Sequence, residues 1–150
     1  MEKKIRRNSK TGPYEFGRLL HMAAKRLHLA VQRSLNRAGL QMTLPQWQTL
    51  SVLAHADEVS QSALSNHMDK DRANVTRILD SLEHAGLVER DAHENDKRRY
   101  TVRITAAGRE LESEARALAA EAEQKMLRGV PTVERRQFLR LLRRLADNLD

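Results

Sequence analysis

Within Leu64–Gly108 the sequence SNHMDKDRANVTRILDSLEHAGLVER (65–90) runs without a break into DAHENDKRRYTVRITAAG (91–108). The first half contains a helix with legible limits. Asp71 suits an N-cap, because its carboxylate can accept the free N–H groups of a first turn. Gly86 suits the left-handed position that ends a helix, with Leu87 as the apolar contact that follows it. Between them Val75, Ile78, Leu79 and Leu82 recur at helical spacing and form the stripe to be buried. At 100° per residue the opposite face carries Ala73, Thr76, Arg77, Asp80 and His84, with Arg72 at its edge and Asn74 off to one side. Alone, such a face also reads as an ordinary solvated surface.

The second half is a charged hairpin. Val88–Arg90 and Arg99–Ile104 read as short strands, the second alternating Tyr100, Val102, Ile104 against Thr101 and Arg103. Ala92–Lys97 reads as the polar tip, with Asn95-Asp96 suited to a turn. Lys97, Arg98 and Arg99 adjoin it. A charge run is usually a solvated face. Directly after a helix with a polar, cationic start, it takes on another meaning. A helix for the major groove followed by a hairpin for the neighbouring backbone or minor groove is the order of a winged helix-turn-helix. On that reading Arg72, Ala73, Thr76 and Arg77 lie nearest the base edges. Arg72 can address guanine O6 and N7, Ala73 a thymine methyl, and Asn74 a phosphate.

At these residues the chain resembles the multiple-antibiotic-resistance regulator (MarR) family. The resemblance rests on Val75-Thr76-Arg77, on Gly86-Leu87-Val88-Glu89-Arg90, and on Asn95-Asp96-Lys97-Arg98 followed by Val102-Arg103-Ile104-Thr105-Ala106-Ala107-Gly108. Thr43-Leu44-Pro45-Gln46-Trp47 with Leu50 is a further match. The family more often has leucine where Ile104 stands. The resemblance implies that Arg98 is the wing arginine that enters the minor groove, with Asp96 orienting it. A narrow minor groove has enhanced negative potential and attracts arginine. Asp96, Lys97, Arg98 and Arg99 are therefore the expected wing contacts.

Composition agrees with a polyanionic partner. The 150 residues suit one domain, and the formal net charge is +7. The excess is concentrated at the start, where residues 1–37 hold ten Lys or Arg against Glu2 and Glu15, a local +8. Cysteine is absent, which excludes disulfides and thiol-based redox sensing. No stretch is long and apolar enough to span a membrane, and no apolar core follows the basic start as in a signal peptide. A cytoplasmic protein is the expectation.

The remaining sequence reads as scaffold. Residues 1–12 form a basic arm. Pro13 opens a helix ending near Gly39, with Phe16, Leu19, Leu20, Ala23, Leu27, Ala30, Val31 and Leu35 on one face. Thr43 and Gln46 form a capping box for a helix that buries Trp47, Leu50 and Leu53. Ser60 caps a short helix, Gln61–Met68, whose polar first turn offers Gln61, Ser62 and then Ser65 to the DNA backbone. After Gly108, Leu111, Ala115, Leu118, Ala122 and Met126 line one helix. Gly129-Val130-Pro131 breaks it, and Thr132 can cap another with Phe138, Leu141, Leu142, Leu145 and Leu149. A small wing and three short helices cannot cover all these stripes, so a second copy of the chain is the simplest partner. The expected organisation is a mainly α fold with a small β wing. It comprises a dimerisation helix at 13–39, a winged helix-turn-helix lobe at 43–108 and C-terminal dimerisation helices at 109–150. By resemblance, the terminal helices of two protomers intertwine, and the dimer reads a pseudo-palindrome on double-stranded DNA.

Catalytic motifs are absent: there is no His-Glu-x-x-His, no Walker loop and no dinucleotide fingerprint. Asp69 and Asp71 are explained by capping. His21 and His28 share a helix, but the sequence clusters no further ligands around them, so neither metal nor cofactor is expected. The resemblance also implies a small aromatic or lipophilic effector that biases the spacing of the two recognition helices. Trp47, Met22, Arg26 and His55 could line its pocket; Trp47 also reads as core, and Arg26 as solvated. The alternative reading is a winged-helix scaffold or architectural module that no longer reads sequence. Cations at both groove positions, Arg72 and Arg77 on the helix and Arg98 on the wing, argue against it.

Overall fold

The computed structural model describes residues 14–56, 58–68, 70–93 and 96–148, with the side chains of 92–99 outside that description. The order is α1 (Glu15–Arg37), α2 (Leu44–Ala54), β1 (Val59–Ser60), α3 (Gln61–His67), α4 (Arg72–His84), β2 (Val88–His93), β3 (Asp96–Ile104), α5 (Ala106–Met126) and α6 (Thr132–Asp147). The fold is mainly helical, with a three-stranded antiparallel sheet in the order β1-β3-β2. It has the expected winged helix-turn-helix layout.

The local chemistry explains the boundaries. Thr43 and Gln46 close a full capping box on α2. Ser60 caps α3 by accepting from the Ala63 N–H at 3.2 Å. Gly86 ends α4 at φ +68°, and the Leu87 N–H donates back to the Leu82 carbonyl at 2.9 Å. The core lies where α2, α3, α4 and the sheet meet, with Leu50, Leu53, Leu64, Val75, Leu79, Leu82 and Val102 buried. Helix α5 crosses α1 and α2. Its buried line is Glu112, Ala115, Ala119 and Ala122. Small residues there let the helices approach closely, and Leu111 and Leu118 flank the contact.

The motif around Gly108 has a steric cause. The Thr105 hydroxyl accepts from the Gly108 N–H at 3.1 Å and donates to the Gly86 carbonyl at 2.8 Å. A Cβ on Gly108 would stand 2.1 Å from the Leu87 carbonyl oxygen. The exit of α4 and the entry of α5 are thus locked together, and the second needs glycine to approach the first.

Several sequence expectations need correction. The wing strands are longer than Val88–Arg90 and Arg99–Ile104, and Ala92, His93, Asp96 and Lys97 belong to strands, not to the tip. The outer half, DAHENDKRR (91–99), has no apolar alternation in its sequence, so it carries no strand signal. Strand β1 is two residues long, too short to show any period; Val59 pairs with Val102 and Ser60 with Thr101. Helix α5 begins at Ala106 with Thr105 as its cap, so Gly108 lies inside the helix. Helix α3 ends at His67, and Met68 is its C-cap. Thr132 is not the cap of α6. Pro131 occupies that position and no side chain caps it; separately, Arg135 ties α6 to the preceding turn by donating to the carbonyls of Val130 and Leu127, both at 2.8 Å.

Candidate nucleic-acid interface

Helix α4 stands at the surface with Arg72, Ala73, Asn74 and Arg77 exposed and Thr76 half-buried. Its start is fixed by Asp71, which accepts from the Asn74 backbone N–H at 2.9 Å and from its side-chain amide at 2.5 Å. The hydrogen bond from the Asn74 N–H holds the Asp71 carboxyl below the usual carboxylate range, helped by the Asn74 side chain and Arg77. The cap is therefore anionic at neutral pH. Asn74, expected to reach a phosphate, also serves this cap.

The flank of α4 facing α3 is a connected set. Gln61 donates to the Thr76 hydroxyl at 2.6 Å, and that hydroxyl donates to the Arg72 carbonyl at 2.8 Å. The Arg72 guanidinium donates to Ser62 Oγ at 3.0 Å, and Ser65 donates to the Gln61 carbonyl at 3.0 Å. The structure thus brings together Gln61, Ser62, Ser65, Arg72 and Thr76. Thr76 has spent its only hydroxyl proton on the backbone, so toward a base it can offer a lone pair or its methyl group. Arg72 is held against α3 by Ser62 and keeps further N–H groups for an acceptor.

Two features escaped the sequence reading. Arg90 of β2 donates to Asp80 at 2.7 Å and binds Glu83 through both Nε and Nη2, with Tyr100 of β3 stacked 6.0 Å away. Both carboxylates are on α4, so Arg90 fixes the angle between recognition helix and wing. Burial and these two partners act on Arg90, and the Glu83 hydrogen bond dominates in raising its pKa. The second feature is Gln46, which donates to Ser81 Oγ at 2.8 Å and joins α2 to the other flank of α4. Gln46 and Ser81 are 35 residues apart, and Arg90 meets Asp80 and Glu83 across the turn between helix and strand, so neither contact follows from a single element's periodicity.

The side chains of Asp96, Lys97, Arg98 and Arg99 lie outside the described residues. Their backbone is the first half of β3, in the ribbon that Arg90 braces. Trp47 and His55 line one cleft of about 580 Å³ together with Val52, His67 and Met68, whereas Met22 and Arg26 are not part of it. Trp47 is half-buried, so it is both a cleft wall and a packing residue. His21 and His28 share a separate shallow groove with Lys25 between them. No described helix is long and apolar enough to cross a membrane.

The MarR family profile matches residues 42–100. An HTH-type transcriptional repressor of Mycobacterium tuberculosis is 30% identical over 132 residues, covering 88% of this chain and 94% of that one. This chain belongs to the MarR family. It is a DNA-binding transcription regulator and not an enzyme. An uncharacterized HTH-type regulator of Bacillus subtilis is 38% identical over 101 residues; the match covers 67% of this chain and 62% of that relative. Wild-type MarR from E. coli, in its apo form, has 26% identity and a TM-score of 0.76, over 91% of this chain and 98% of that one. A mutant of the same protein complexed with operator DNA has 24% identity and a TM-score of 0.78, over 90% and 99%.

Proposed function

We propose that this MarR-family protein is a ligand-responsive repressor, cytoplasmic and homodimeric, that reads a pseudo-palindromic operator with one half-site per protomer. The observation that carries the reading is the outward face of α4. Arg72, Ala73, Thr76 and Arg77 stand clear of the core on a helix whose flanks are hydrogen-bonded to α3 and α2. A braced helix of this kind presents base contacts at a fixed angle to the groove. Arg72 is the guanine reader and Ala73 the thymine-methyl contact. Asn74, Gln61, Ser62 and Ser65 serve the backbone, and Arg98 with Asp96, Lys97 and Arg99 serves the wing. Residues 43–108 act as the reading lobe, with 13–39 and 109–150 forming the dimer seam. That part of the reading is supported by α6, on which no described residue is buried within one protomer. The cleft beside Trp47 suits a small aromatic or lipophilic effector, being of ordinary ligand-pocket size.

Fluorescence anisotropy on the gene's own upstream duplex and on a scrambled duplex, at low and near-physiological salt, tests this. A preference of roughly a thousandfold that survives salt is expected of specific reading. Equal binding that vanishes with salt would favour the scaffold or architectural alternative. Arg98→Ala should weaken operator binding by roughly 1–3 kcal/mol and leave the dimer intact.

A further inference from the structure

We infer that the cleft between the start of α2 and the neighbouring flank of α4 is a phosphate seat for the DNA strand opposite the one met by α3. This rests on the reading of α4 as the groove helix. The cleft measures about 390 Å³ and is lined by Gln46, Lys70, Asn74, Arg77, Ile78 and Ser81 among others. Asn74, Arg77 and Ser81 recur at spacings of three and four, so they form one line along α4, on the side away from Gln61 and Ser62. Lys70 extends that line into the turn before the helix.

The chemistry of the cleft is one-sided. It offers two cations, and no carboxylate lines it among the described residues. Asp71, next to Lys70, is occupied by the backbone N–H and one side-chain amide proton of Asn74, and Asp80, next to Ser81, is paired with Arg90. Ser81 Oγ accepts from Gln46, which leaves its hydroxyl proton for an acceptor. Asn74 spends one amide proton on Asp71 and retains the other. The first turn of α2 contributes little by itself. The Leu44 N–H donates to Gln32 at 2.8 Å, the Gln46 N–H is taken by Thr43, and Pro45 has none. The attraction for an anion therefore resides in side chains.

The occupant follows from groove geometry. A helix with its side chains is about 10–12 Å across and the major groove is about 12 Å wide, so a seated helix brings phosphates of both strands against its two flanks. One flank of α4 already carries the Gln61–Ser62–Arg72 set. The Lys70–Asn74–Ser81 line, with Arg77 above it, is what meets the other strand. Contacts of this class position the protein without reading sequence.

Lys70→Gln and Ser81→Ala test the seat by anisotropy over a series of salt concentrations, on both the upstream and the scrambled duplex. Circular dichroism and sedimentation verify fold and assembly. Lys70→Gln should reduce the salt slope by about one unit per lobe, equally on both duplexes. Ser81→Ala should weaken binding and leave the slope unchanged. A neutral methylphosphonate walked along each strand should identify a position that is costly for the wild type and costs Lys70→Gln nothing further. A slope and a methylphosphonate pattern in Lys70→Gln equal to wild type would overturn the seat, whatever the sequence preference. A wild type with no preference for its upstream duplex would instead overturn the operator reading, and the slope on the scrambled duplex would still decide the seat.

Discussion

The reading lobe and the terminal helices carry amphipathic stripes of similar quality, yet only the lobe closes on itself. In α4, Val75, Leu79 and Leu82 are buried by residues of the same protomer. In α6, Phe138 is 52% and Leu141 55% exposed, and in the first half of α1 Phe16 is 59% exposed. The second half of α1 is ordinary core, with Val31 and Leu35 buried under α5. The boundary between self-sufficient and incomplete structure thus runs through the middle of one helix. A stripe in the sequence states that a face will be covered. It does not state by what.

The sharpest way to break this comparison is to charge the uncovered face. Phe138→Glu with Leu141→Glu should convert the protein to a monomer at micromolar concentration, because a buried unpaired carboxylate costs several kcal/mol. An increase in the dimer dissociation constant of more than 100-fold, about 2.7 kcal/mol, is expected by sedimentation, with helical content retained. A dimer that survives would remove this face of α6 from the seam. The next largest effect contrasts two glycines. Gly108→Ala forces a Cβ against the Leu87 carbonyl and Ile104, and should cost roughly 3 kcal/mol in urea unfolding. Gly17 in α1 has nothing within 4 Å of a Cβ, so Gly17→Ala should stabilise by about 0.5–1 kcal/mol through helix propensity. Destabilisation by Gly17→Ala would mean that the partner packs against that turn.

Much of this architecture was legible because its determinants are local. Asp71, Ser60, Thr43 with Gln46, and Gly86 each act within a few residues of the helix end they define, and each does so in the structure. The outward set Arg72, Ala73, Thr76 and Arg77 follows from helical periodicity alone. What the sequence hid lies in contacts between different elements. Gln61 with Thr76, Arg72 with Ser62, Gln46 with Ser81 and Arg90 with Asp80 and Glu83 depend on how elements pack, and no spacing announces them. Gly108 was recognised as part of a motif, but its cause, the 2.1 Å approach to Leu87, is visible only in three dimensions. The outer wing is hidden for a related reason: its strands are defined by pairing with each other, Ala92 with Tyr100 and His93 with Asp96, and the sequence there has no apolar alternation to announce them.

Inside the lobe the weakest joint is the one that sets its function, the bridge from Arg90 to α4. Asp80 and Glu83 are partly exposed, so the pair energy is screened, and Arg90→Ala should cost only about 1 kcal/mol of stability. Its larger consequence is geometric, since helix and wing then lose their shared cation. Operator affinity should fall more than stability does, and the loss should be greater on the operator than on a scrambled duplex. The hydrogen bond from Arg90 holds the Glu83 carboxyl below its ordinary range, with the nearby Asp80 opposing. A carboxyl depressed in the folded state contributes stability that is complete above its unfolded pKa of about 4.3 and is lost as pH falls through the lower folded value. Thermal unfolding followed from pH 6 down to 3 should therefore show a decline in the wild type that is shallower in Glu83→Gln. Equal declines in the two proteins would mean that Asp80 alone carries the clamp, and the angle between recognition helix and wing would then rest on a single exposed ion pair.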